Sequence, residues 1–333
     1  MRPVTYTAAA DVAGAISAVA GNPDAAYLGG GTTLIDLMKI DVMAPAHLVD
    51  VTGIQSRDPR LARIDEMGDG RLRIGALVSN SDLAHHPAVR TRYPVLSEAL
   101  LSGATVQLRN MATVAGNLLQ RTRCYYFRDT ASPCNKRQPG TGCSATGGYN
   151  RMHAVLGGSD QCIATNPSDM CVALSALDAV VRVRGPAGER TIALVDFHRV
   201  PGDSPEQDTV LEHGDFIVGV DIPALPFAAR SHYLKIRDRS SYAFALASVA
   251  AALDIQDDVI RGARLALGGV GTKPWRAREA ELILVGRPAT VDTYREAATA
   301  ALRDAVPQRH NAFKIELAKR TIVRALTTVG RMV

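Results

Sequence analysis

The stretch AAYLGGGTTLIDLMK, residues 25–39, decides how the chain is read. An apolar run ending at Leu28 meets three glycines and two threonines. Leu34, Leu37 and Met38 then recur at helical spacing, which spells strand, tight turn, helix. Consecutive glycines at such a junction let backbone N–H groups line a concavity without Cβ obstruction, and the helix start favours negative charge there. The motif is neither GxGxxG nor a P-loop, because Gly29, Gly30 and Gly31 lead into Thr32 and Thr33 with no lysine. A plain tight turn is the simpler alternative, since glycine often only punctuates a chain. A second turn of small residues, TVAGN at 113–117, offers the same open backbone and an Asn amide. Together the two turns could clamp a diphosphate from both sides, which favours a dinucleotide.

Outward from these turns, strands and helices alternate. PAHLVDVTGI (45–54) reads as a strand closing at a glycine. RLRIGALVSNSDLAHH (71–86) reads as a strand followed by a short helix capped by Ser81 or Asp82, and PVLSEALLSG (94–103) as a helix ending at Gly103. NPSDMCVALSAL (166–177) has an Asn-Pro turn, Ser168 as N-cap and a helix, and DAVVRVRGPAGERTIAL (178–194) is a hairpin about Pro-Ala-Gly. The composition breaks between Pro223 and Pro226. Beyond it lie three strand-like runs, at 232–239, 241–255 and 259–270, and then three helical patterns, a sheet backed by helices. The expected fold class is α+β, with two domains meeting near residue 225. The N-terminal 21 residues are expected to form an amphipathic helix, since Asp11 and Gly14 make them a poor export leader.

A chain of 333 residues that is 47% hydrophobic and 21% charged can bury two ordinary cores. Its longest apolar stretch, Ala243 to Leu253, is shorter than the roughly 20 residues that span a bilayer, so no membrane insertion is expected. The net charge of +5 is concentrated: from Arg121 to Arg151 there are six bases and one acid, 6 − 1 = +5. This excess sits beside cysteines rather than along a helix face, which argues against nucleic acid as a partner.

Five cysteines without a secretory signal argue against a disulfide framework and leave the thiols free or metal-bound. Cys171 falls in a helical pattern. Cys124, Cys134, Cys143 and Cys162, separated by 9, 8 and 18 residues, all fall in Gly-, Pro- and Lys/Arg-rich loop sequence. Four thiolates suit zinc or an iron–sulfur cluster, and the close cysteine pairs usual in zinc modules are missing. A 4Fe-4S cluster with four thiolates carries negative charge, which a collar of arginines and Lys136 would offset. Structural zinc in a non-redox binding module, and four unrelated buried thiols, are the alternatives.

LGGGTTLIDLMK, TVAGN, NPSD, YLKIRDRSSYAFA and GGVGTKPWRA, in that order, resemble the FAD-binding subunit of the xanthine dehydrogenase family of molybdenum hydroxylases over nearly the whole chain. The inserted segment at about 121–163 is similar to that of the flavin subunit of bacterial periplasmic aldehyde oxidoreductases, which carries a 4Fe-4S cluster. The resemblance implies a two-part FAD-binding domain of the vanillyl-alcohol-oxidase/PCMH type at 1–225, holding the insertion. A C-terminal domain of the CO dehydrogenase flavoprotein type follows at 226–333.

By the same resemblance Leu28, Gly29, Gly30, Gly31, Thr32, Thr33, Leu34 and Ile35 wrap the FAD diphosphate. Thr113, Val114, Ala115, Gly116 and Asn117 support it, Asp169 binds the cofactor, and Ile217 and Lys235 lie near the flavin. Asp169 as a second capping residue and Lys235 as a solvated strand lysine are the plainer alternatives. At Gly103 the family's bulky aromatic contact is missing.

The implied role is an electron outlet: a large molybdenum-cofactor subunit oxidises an aldehyde, a small 2Fe-2S subunit relays the electrons, and the FAD here delivers them to an external acceptor. No catalytic acid–base residue is expected in this chain. An aryl-CoA reductase flavin subunit is the alternative within the class. The expected place of assembly is the cytoplasm, with export of the folded complex on a partner's signal compatible with the lack of a leader here.

Overall fold

The computed structural model describes residues 1–332. At the N-terminus β1 (Thr5–Ala8) and β2 (Ala25–Leu28) flank β3 (His47–Asp50), and both pair with it in parallel. Parallel neighbours need a crossover, and the helix Val12–Ala20 supplies it between β1 and β2. Asp11 is its N-cap: the carboxylate accepts from the Gly14 N–H at 2.7 Å. The sequence reading folded β1 into this helix. All four β1 residues are exposed, so no apolar alternation marked the strand.

A five-stranded antiparallel sheet follows, built from β4 (Ile64–Glu66), β5 (Leu72–Gly75), β6 (Val180–Gly185), β7 (Gly188–Ala193) and β8 (Phe216–Ile222) in the order β4-β5-β8-β6-β7. β6 and β7 form the expected hairpin, with Gly185 opposite Gly188. After β5 the helix Asn80–His85 is capped by Ser79, whose hydroxyl accepts from the Asp82 N–H, and not by Ser81 or Asp82. TVAGN also departs from the reading as a turn: Thr113 caps a short helix, Val114–Leu118.

The third sheet is the expected one, β9 (Ser231–Ile236), β10 (Ala247–Gln256), β11 (Val259–Gly268) and the short β12 (Trp275–Arg276), antiparallel throughout. Ala247 to Leu253 are all buried because β10 is covered on both faces, which explains a run that is apolar but for Ser248. Val249, Ala251 and Leu253 pack against the C-terminal helix Phe313–Gly330, while Ala250 joins the core that also holds the helix Asp169–Ala176. The whole is α+β, as the sequence indicates. Among the described residues no helix is long and apolar enough to cross a membrane.

Residues 121–163 contain two four-residue helical turns, Tyr125–Arg128 and Ser144–Gly147, and isolated bridges pairing Cys134 with Cys143, Leu156 with Gly271 and Ser159 with Cys162. This segment is tied to the C-terminal helices. Asn311 Nδ2 donates to the His153 and Ala154 carbonyls, and the fully buried Lys314 ammonium donates to the carbonyls of Met152, His153 and Gly269 at 3.2, 3.0 and 2.5 Å.

Burial, helped by Arg151, lowers the Lys314 pKa from its ordinary 10.5 to about 7. The unfolded chain therefore binds more protons between those values, and this group's contribution to stability rises as pH rises through that window. Lys314→Met should abolish that rise and, by stranding three carbonyls, destabilise the fold by about 3 kcal/mol. Denaturant unfolding of both proteins from pH 7 to 10 measures this; parallel pH profiles would refute it.

Candidate functional site

A cleft of about 520 Å³ lies where the first core meets the third sheet, lined by Thr32 and Thr33, Gly103, Arg109, Gly116 and Asn117, Asp169 and Lys235, and Tyr242 and Phe244. Both sequence turns therefore reach one cavity of cofactor size. They contribute differently from each other.

In the first turn, Gly31 takes a left-handed φ of +71°, and Ile35 packs under it. Leu28 ends β2, and Leu34 and Ile35 open the helix Leu34–Lys39. The Ile35 N–H bonds back to the Gly31 carbonyl at 3.0 Å, and Thr32 and Thr33 form this edge of the cleft. Gly30 is small for another reason than ligand approach. A Cβ there would stand 1.7 Å from the Met111 carbonyl oxygen, so the first turn lies directly on the backbone that leads into the second.

In the second turn four of the five backbone N–H groups are taken. The N–H groups of Val114 and Ala115 bond to the Val78 and Ala76 carbonyls, that of Gly116 to Thr113 Oγ1, and that of Asn117 to the Thr113 carbonyl. Thr113 and Val114 are buried, and Ala115 packs on the core. A two-sided backbone clamp is thus not what forms, because the second turn spends four of its N–H groups on the Ala76 and Val78 carbonyls, just after β5, and on its own cap. Its contribution is the Asn117 side chain. There Oδ1 accepts from Gln120 Nε2 and Ser168 Oγ, both at 2.7 Å, which leaves Nδ2 as the donor.

Asp169 opens the helix Asp169–Ala176, where Ser168 is the N-cap as expected. Its Oδ2 accepts from Lys235 Nζ at 2.7 Å, and its Oδ1 from the Tyr233 hydroxyl at 2.7 Å. Lys235 also donates to the Ser102 carbonyl at 3.1 Å, and its side chain is 4% exposed, so it is not a solvated strand lysine. Burial first, and the Asp169 charge second, push the Tyr233 hydroxyl well above its ordinary pKa, so it stays a donor. Ile217 goes elsewhere. It is 3% exposed in β8, paired with Val183 in the interior of the five-stranded sheet, and does not line the cleft.

Sequence reading missed Arg109, Tyr125, Tyr242 and Phe244 as cleft residues. The two aromatics of the 239–245 loop, 54% and 41% exposed, face the cleft that Gly103 leaves open, and an exposed aromatic pair in a polar loop was the available signal.

Cys124, Cys134, Cys143 and Cys162 all line one small cavity. Cys171 is elsewhere, fully buried in the first core, where burial pushes its thiol up to about 12. Burial likewise raises Cys124 to about 12 and Cys162 to about 11, so as free thiols both hold their protons. Among the described residues no three His, Cys, Asp or Glu side chains converge closely enough for a single metal ion. Four thiols round one cavity match in number the four thiolates that a 4Fe-4S cluster takes.

The basic collar is more neutral than its sequence suggests. Arg123 and Arg128 share Asp36, Arg121 and Lys136 share Asp208, and Arg151 pairs with Asp238. Among the described residues Arg137 makes no salt bridge, and it donates to the Tyr126, Phe127 and Ser132 carbonyls.

Both halves of this architecture match known families: residues 2–225 the FAD binding domain in molybdopterin dehydrogenase, and residues 232–329 the CO dehydrogenase flavoprotein C-terminal domain. The chain belongs to the FAD-binding subunits of the molybdenum hydroxylases, the xanthine dehydrogenase family. It is 51% identical over 306 residues, 91% of each chain, to the aldehyde oxidoreductase FAD-binding subunit PaoB of Escherichia coli K12. It is 25% identical over 295 residues to the glyceraldehyde dehydrogenase medium chain of Sulfolobus acidocaldarius, covering 89% of this chain and 85% of that one. The carbon monoxide dehydrogenase from Hydrogenophaga pseudoflava lacking the Mo-pyranopterin moiety superimposes with a TM-score of 0.76 at 25% identity, over 98% of this chain and 97% of that one. The chain is an FAD-containing oxidoreductase subunit of a molybdenum hydroxylase complex.

The close approach at Gly30 makes a sharp expectation. Gly30→Ala should cost about 3 kcal/mol and release flavin through distortion of the turn. Gly29→Ala, whose Cβ would stand 3.3 Å from Thr113 Oγ1, should be tolerated. Thermal unfolding and flavin content of the two variants measure the difference, and equal behaviour would show that the turn is not packed as described.

Proposed function

We propose that this chain is the flavin and 4Fe-4S electron-transfer subunit of a molybdenum-dependent aldehyde oxidoreductase. It takes electrons from a small 2Fe-2S partner, fed by a large molybdenum-cofactor subunit, and passes them to an external acceptor. The observation that carries the cluster assignment is the convergence of Cys124, Cys134, Cys143 and Cys162 on one cavity from a segment with almost no regular structure. The name of the 51% identical relative supports an aldehyde over an aryl thioester as the substrate of the complex.

When bound, FAD supplies one- and two-electron exchange and the cluster one-electron exchange. The residues of this chain hold and insulate them. The Leu28–Ile35 turn, with Thr32 and Thr33 at its cleft edge, is assigned to the diphosphate, and Gly116 and Asn117 to the opposite wall. Asp169 and Lys235 form a fixed, charge-neutral pair at the joint, so neither brings an uncompensated charge to the flavin. Tyr242 and Phe244 provide the aromatic wall that position 103 lacks. Residues 1–225, with the insertion at 121–163, and 226–333 are the two domains of this reading.

Two measurements test it. Single substitution of Cys124, Cys134, Cys143 or Cys162 by Ser should lower iron per protein, because serine is a poorer, protonated ligand, whereas Cys171→Ala should leave iron unchanged. Iron loss only at Cys171, or zinc in place of iron, overturns the ligand set. The isolated chain should show flavin and iron–sulfur absorption yet turn over no aldehyde, and aldehyde oxidation by the chain alone would sink the electron-outlet role.

A further inference from the structure

Of the four thiols only Cys124 also faces a chamber of about 300 Å³ that shares Arg123, Tyr125, Met152, Asp169 and Phe244 with the flavin cleft. His153 stands in the wall of that chamber, 2% exposed, with Nε2 3.1 Å from Cys124 Sγ. Its placement is over-determined. The backbone N–H donates to the Asn150 carbonyl, the carbonyl accepts from Lys314 and Asn311, and the ring lies beside Tyr126 with centroids 6.2 Å apart.

We propose that His153 is a positioning residue for the flavin-side ligand of the cluster: it donates Nε2–H to the Cys124 sulfur and so raises the cluster's reduction potential. This rests on the cluster assignment above. The tautomer follows from the surroundings. Nδ1 is buried with no partner, and a thiolate ligand can only accept. A proton on Nδ1 would leave a buried N–H unpaired, the costlier of the two orphans, whereas a proton on Nε2 meets sulfur. Reduction adds one electron to the cluster and its thiolates, with no bond broken and no proton moved. An N–H···S bond stabilises the more negative form, and hydrogen bonds to sulfur are among the factors that set such potentials.

The test uses the intact complex with FAD bound and a redox titration followed by the paramagnetic signal of the reduced cluster. His153→Phe should keep the iron content of the unsubstituted protein and lower the ratio of reduced to oxidised cluster at a fixed potential roughly tenfold, about 59 mV for a one-electron couple. His153→Gln, which retains an N–H donor, should recover part of the shift. An unchanged midpoint in His153→Phe with iron retained overturns the proposal. Should that variant lose iron, the unsubstituted protein decides. With its histidines labelled with ¹⁵N, the reduced cluster should show hyperfine coupling to a histidine nitrogen and to an exchangeable proton, and the absence of both overturns the proposal. An unsubstituted protein without iron would overturn the cluster assignment itself, and this proposal with it.

Discussion

The carboxylate of Asp208 anchors the thiol-bearing segment to the rest of the fold. Its Oδ2 accepts from Arg121 Nε at 2.7 Å and its Oδ1 from Lys136 Nζ at 2.5 Å, and Lys136 is two residues from Cys134. Loss of hydration works against ionising Asp208, but the two cations outweigh it and hold its carboxyl below the usual range. Asp36, from the helix behind the first glycine turn, makes the same kind of tie to Arg123 and Arg128. Loops with so little pairing of their own keep a fixed cavity because acids outside them fix their bases. The local charge excess is thus mainly a set of fastenings.

The cleft depends on a second constraint, the covering of β10 and β11 on both faces. Small residues such as Ala250 and Ala266 let the helix Asp169–Ala176 sit close to that sheet. Asp169 then meets Tyr233 and Lys235 on β9. The cleft forms along this joint, and the two turns at 28–35 and 113–117 close its other side. A rigid packing decision in the core therefore sets the width of the cofactor site.

Much of this was legible in the sequence, and the exceptions have physical causes. The glycine turn, the Ser168 cap, the 178–194 hairpin and the three-stranded run of the C-terminal sheet carry local signals that survive folding. β1 carries none, since all its residues are exposed. TVAGN looked like a free turn because the partners of its N–H groups, Ala76 and Val78, lie far back in the chain. Ile217 was assigned to the site by resemblance, while its own pattern in FIVGVDI is that of a buried central strand. Asp36 neutralises bases 87 and 92 residues away, Asp208 bases 72 and 87 away and Asp238 one 87 away, distances that composition cannot show. The grouping of the four thiols was readable from loop composition, but the part of His153 was not, because its link to Cys124 exists only after folding.

The fastening of Met152 and His153 by Lys314 also fixes an order of events in biosynthesis. Met152 and His153 are encoded long before the groups that lock them, Asn311 and Lys314, which lie 158 to 162 residues further on. A ribosome must release the chain through Lys314 before that tie can form. A chain cut short before Asn311 would present Cys124 with the histidine beside it untied.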